Sequence, residues 1–152
     1  MSRLRSFLAF DDFEIWRRRM TGLLALASIL LVTYWTLWFS DRGLVASDHT
    51  SEYINFEQSF PLADTYLAAV ALLAAIQLWR RRQITIIWLA VIGGASMYLC
   101  AMDVLYDLQH GIYSKPTGGD TEFAINLATA ALSIGVLRVC PRTRWWAGVM
   151  TT

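Results

Sequence analysis

The chain has 152 residues, of which 56% are hydrophobic and 16% charged; its mean hydropathy is +0.42 and its net charge +1. Soluble domains carry about 25% charged residues, so a 17.2 kDa globule of this composition lacks the charge to keep its surface wet. The apolar and aromatic content excludes disorder, the balanced charge gives no sign of a nucleic-acid partner, and two cysteines, Cys100 and Cys140, are too few for a disulfide framework or a four-ligand zinc site.

What remains is an all-α integral membrane protein whose first partner is the lipid bilayer. Residues 1–19 place Phe7, Leu8, Phe10, Phe13, Ile15 and Trp16 among charges, which predicts an amphipathic helix lying on the cytoplasmic leaflet. Met20–Ser40 and Gln83–Met102 are charge-free runs of 21 and 20 residues, and about 20 apolar residues cross a bilayer core. Thr65–Trp79 and Phe123–Leu137 are shorter, 15 residues each, and reach spanning length only if Asp64 and Glu122 sit at the boundary. The expectation is a four-transmembrane-helix bundle over residues 20–141, with spans near 20–40, 61–79, 83–105 and 122–138, and a tail at 142–152. A cleavable signal peptide is the competing reading of the first run, but signal cores hold about 7–15 apolar residues.

Charge sorts along this plan. Arg3, Arg5, Arg17, Arg18, Arg19, Arg80, Arg81, Arg82, Arg138, Arg142 and Arg144, eleven of the thirteen bases, fall on one side. The positive-inside rule makes that side cytoplasmic, with both termini there and the plasma (inner) membrane as the setting. The other side holds nine acids against Arg42 and Lys115. Acids contribute little to orientation, so their segregation needs another explanation.

Between the first two spans lies a loop of about 20 residues, long for a compact bundle. Its second half, Glu52–Phe60, mixes aromatics with acids and predicts a short structured segment over the outer mouth. Tyr34, Trp35, Trp38 and Phe39 form an aromatic belt or a pocket wall at the end of the first span. Gly93–Ser96 is a patch of small residues suited to close helix packing.

The most polar stretch is Asp103–Tyr113. On a helix, Asp103, Tyr106, Asp107 and His110 fall at i, i+3, i+4 and i+7, one stripe. Ionisable groups at membrane depth normally face the bundle interior or water. Glu57, Asp64, Tyr66, Glu122 and Asn126 fall at a similar height, so an outward-facing acidic and aromatic pocket is expected. Three uses stand open. Asp64 and Asp103 accept structural hydrogen bonds from tyrosines or backbone amides at helix ends; the acids meet a lipid-like, sterol-like or cationic ligand; or they hold a cation or proton, with Asp103, Asp107 and His110 as candidate metal ligands.

No G-x-S-x-G, P-loop, H-E-x-x-H or C-x-x-C occurs. A non-enzymatic protein without cofactor is therefore expected, with acid–base catalysis by Asp103, Asp107 or His110 left open. The alternatives are an accessory subunit of a larger membrane complex, or a cation or proton transport component, as a homo-oligomer or within a complex.

The strings Asn55-Phe-Glu-Gln-Ser-Phe-Pro-Leu-Ala-Asp64 and Asp103…Tyr106-Asp-Leu-Gln-His-Gly-Ile-Tyr113 resemble a group of small bacterial four-span proteins with no assigned activity. In topology the chain is also similar to the emopamil-binding and sigma-2-receptor superfamily. That similarity implies an internal sterol or amine pocket, with Glu57, Asp64 and Asp103 as its acids. The histidine expected of the isomerase members has no counterpart here, so ligand binding is what the similarity implies.

Overall fold

The computed structural model describes residues 2–116 and 118–139, and side chains from residue 13 onward. The tail at 142–152, Cys140, Arg142, Arg144 and the side chains of Arg3, Arg5, Phe7, Leu8 and Phe10 lie outside the described residues. Five α-helices form, with no strand among the described residues: α1 (Ser2–Ser40), α2 (Ser51–Glu57), α3 (Pro61–Trp79), α4 (Thr85–His110) and α5 (Gly119–Leu137). Three segments are long and apolar enough to cross a membrane: Phe13–Ser40, the α2–α3 segment Ser51–Trp79, and α4. The last helix, α5, is 19 residues long and opens with Asp120 and Glu122; it is not among the three.

Instead of a separate interfacial segment at 1–19, α1 runs as one helix of 39 residues. Neither proline nor glycine interrupts residues 2–21, so the backbone meets no reason to break. At 1.5 Å per residue it is roughly 58 Å long, about twice a bilayer core.

Local chemistry sets the remaining boundaries. The Thr50 hydroxyl accepts from the Tyr53 amide and caps α2. Pro61 opens α3 at its first position, where its missing N–H costs nothing. After α3, the Arg82 amide donates to Gln77 carbonyl oxygen (3.0 Å) and the Arg81 amide to that of Leu78 (3.3 Å), the Schellman pattern. The left-handed position of that turn, usually glycine, is Arg81, at φ 55°.

The helices pack in chain order, α1 on α3, α3 on α4 and α4 on α5. Ties along α1 and α3 run antiparallel: the Arg17 guanidinium donates to Leu78 and Trp79 carbonyls (3.4 and 3.3 Å), and the Ser28 hydroxyl to that of Ala68 (2.9 Å). Along α4 and α5, Ser96 and Ser133 hydroxyls meet at 2.6 Å and the Cys100 thiol donates to Asn126 carbonyl oxygen. One apolar core holds Met20, Leu24, Val70, Ala74, Leu78, Leu89, Ile92 and Val136. A second, aromatic core at the loop-rich end joins Trp35, Trp38, Tyr53, Phe60 and Ile112.

Candidate functional site

The loop-rich end collects the acids that the sequence singles out. The Trp35 indole of α1 donates to Asp64 at the start of α3 (2.9 Å), and the neighbouring Tyr34 hydroxyl donates to Glu57 at the end of α2 (3.0 Å). Glu122, in the first turn of α5, accepts from the hydroxyls of Tyr53 (2.9 Å) and Ser47 (2.7 Å). That places the α1–α3 connection directly over the head of α5. Gly118 permits the approach, for its φ is +88° and a Cβ there would lie 2.7 Å from Ser47.

Asp107 and Asn126, each 4% exposed, form a buried polar pair. The Asn126 amide donates to Asp107 and to the Tyr113 hydroxyl, both at 2.9 Å. Burial pushes Tyr113, which lies beyond α4, up to about 12, so its hydroxyl stays protonated. Near the surface Lys115 pairs with Asp48. Its ammonium, with the Thr50 hydroxyl and His49 amide, holds Asp48 down at about 2.

Asp103 is half-buried among Asp64, Asp107 and Glu122, and no hydrogen bond to it occurs among the described residues. Tyr106 lies between two rings, stacked on Phe56 (3.7 Å, 5°) and on His110 (4.0 Å, 22°). His110 is exposed and its Nδ1 engages Tyr106 carbonyl oxygen at 2.9 Å. Tyr66 is 53% exposed, away from the acids' hydrogen-bond network. Among the described residues no group of three His, Cys, Asp or Glu side chains is placed to hold a metal ion; on the helix that they share with Asp103, Asp107 engages Asn126 and His110 engages the Tyr106 carbonyl.

The pocket that touches Asp64 is an open groove of about 300 Å³ between α1 and α3, lined by Leu31, Val32, Trp35, Thr36, Phe39, Asp64, Thr65 and Ala68. Asp103 does not line this groove, although the two acids lie at the same end of the bundle within electrostatic reach of each other. Trp35 lines the groove, 7% exposed and with its N–H committed to Asp64.

The groove's donors are spent. Thr36 donates to Val32 carbonyl oxygen (2.7 Å), Thr65 to that of Pro61 (2.6 Å), and Trp35 to Asp64 Oδ2. What it presents is acceptor capacity, the second oxygen of Asp64 and the hydroxyl lone pairs, set in an apolar wall. Trp35, Tyr34, Tyr53 and Ser47 escape sequence reasoning as partners of the acids, because aromatic residues at a helix end also read as an interfacial belt. Comparison of the chain with protein-family models, curated proteins and solved structures finds no match.

Proposed function

We propose that this is a non-enzymatic integral membrane protein that takes a lipid-like cationic molecule into the α1–α3 groove, its amine on Asp64. The observation that carries the reading is the groove itself: a carboxylate in an apolar wall, open at the surface of the α1–α3 pair, with its neighbouring donors already engaged. A ligand that brings N–H donors and positive charge complements that surface; one that brings acceptors leaves Asp64 unpaired. The volume lies at the lower end of small-molecule sites, which favours a single apolar chain or small ring system.

The finer membrane plan belongs to the same proposal. α5 is the fourth span: it lies antiparallel along α4, and its acids are confined to the first turn. The arginine end is cytoplasmic and the loop-rich end faces out of the plasma membrane. The N-terminal part of α1, continuous with the first span, emerges on the cytoplasmic side.

Binding of a long-chain alkylamine by the detergent-solubilised protein, followed by isothermal titration calorimetry, tests this. Saturable binding is expected, weakened roughly tenfold or more in Asp64→Asn because a charge-assisted hydrogen bond contributes about 1.5–3 kcal/mol. The matching alkyl alcohol should bind the two proteins alike. Equal amine affinity in the two would overturn the proposal.

A further inference from the structure

The two arginine triplets, 17–19 and 80–82, lie 60 residues apart in sequence and meet at one end of the α1–α3 pair. Arg17 is 5% exposed and caps the end of α3 through the Leu78 and Trp79 carbonyls. Glu14 pairs with Arg17 at 2.9 Å and with Arg81 at 3.2 Å. One acid thus serves two arginines, and Arg18, Arg19, Arg80 and Arg82 stay exposed with no ion pair among the described residues.

Topology signalling needs only that basic residues flank the spans; it does not need them drawn into one cluster. Nor does it need an arginine in the left-handed turn after α3, where glycine fits without steric cost. Beside the cluster, Trp79 is 65% exposed, with the Arg17 guanidinium 5.8 Å from its ring. Exposed tryptophans of this kind sit at the depth of lipid headgroups.

We infer that the joined triplets bind the acidic phosphodiester headgroup of an anionic phospholipid. Arg80 and Arg82 reach it from the turn, Arg18 reaches it from α1, and Trp79 sits at the glycerol level. Guanidinium groups match phosphate oxygens in pairs. The site is independent of the Asp64 groove and lies at the opposite end of the α1–α3 pair.

Native mass spectrometry of the full chain released from mixed phosphatidylcholine and phosphatidylglycerol nanodiscs tests the inference. Phosphatidylglycerol should be retained preferentially. Arg80→Gln and Arg82→Gln, both surface changes, should each lower the preference, roughly fivefold per charge. Arg81→Gly, which leaves the turn its favoured residue, should lower it as well, while Arg138→Gln should not. Equal retention of the two lipids, or a preference unchanged in the Arg80→Gln, Arg82→Gln and Arg81→Gly proteins, would overturn it.

Discussion

At Asp107, Glu122, Glu57 and Asp64 the carboxylate finds an amide, a hydroxyl or an indole instead of a base. Neutral donors satisfy the acids without fixing a counter-charge beside them. The pair with most to lose is Asp107 and Asn126. Asn126→Leu keeps the volume and removes the donor, and should destabilise the protein by about 1–3 kcal/mol, read from reversible unfolding in mixed detergent micelles. Tyr34→Phe should cost less, since Glu57 is only half-buried.

Acid pH acts on a different pair. Asp48 is held below its ordinary value by Lys115, so its contribution is complete above the unfolded-state value of about 4 and disappears as pH falls through about 2. Hydrogen exchange across residues 41–50 should accelerate within that window, and Lys115→Gln should remove the dependence. The acids themselves were legible in the sequence because charge is scarce there. Tyrosine donors were expected in kind; the particular pairs, and Trp35 on Asp64, were not, because a tyrosine or tryptophan at a helix end satisfies an interfacial role equally well, and only packing between helices decides which it plays.

Among the elements, α1 differs most from its sequence reading. Composition separates an amphipathic lead from an apolar run, yet helix continuity depends on the backbone, and nothing in residues 2–21 breaks it. The start of α3 followed from Pro61 and its end from the three arginines. Helix pairing did not follow from periodicity, because residues buried against protein and residues facing lipid are equally apolar.

The connection between α4 and α5 depends on Gly118. Gly118→Ala introduces a Cβ against Ser47 at a positive φ, and both effects oppose the fold by about 1–3 kcal/mol. Limited proteolysis should show earlier cleavage in residues 41–60 of that variant, since Ser47 and Tyr53 would lose their seat on Glu122.

For the whole molecule, a net charge of +1 conceals two opposed ends. The arginine end joins its two triplets through Glu14 and Arg17, and the loop-rich end gathers Glu57, Asp64, Asp103, Asp107 and Glu122. Helical class and membrane character were readable from hydropathy alone. That Asp64 lines the α1–α3 groove while Asp107 pairs with Asn126 of α5 was not, because it depends on how the helices pack.

The proposed plan of four crossings with both termini inside predicts a labelling pattern. In a background lacking Cys100 and Cys140, His49→Cys and Lys115→Cys should react with a membrane-impermeant thiol reagent in intact cells. Arg82→Cys and Arg138→Cys should react only after lysis. Labelling of Arg138→Cys in intact cells would remove α5 as a span.

The central claim, a cationic lipid-like ligand on Asp64, is tested most directly by native mass spectrometry of the protein extracted from its own membrane. The account predicts a single chain carrying a small amine-containing adduct that is lost in Asp64→Asn. A bare chain, an adduct retained by Asp64→Asn, or a stoichiometric complex with other membrane proteins and no adduct would contradict it.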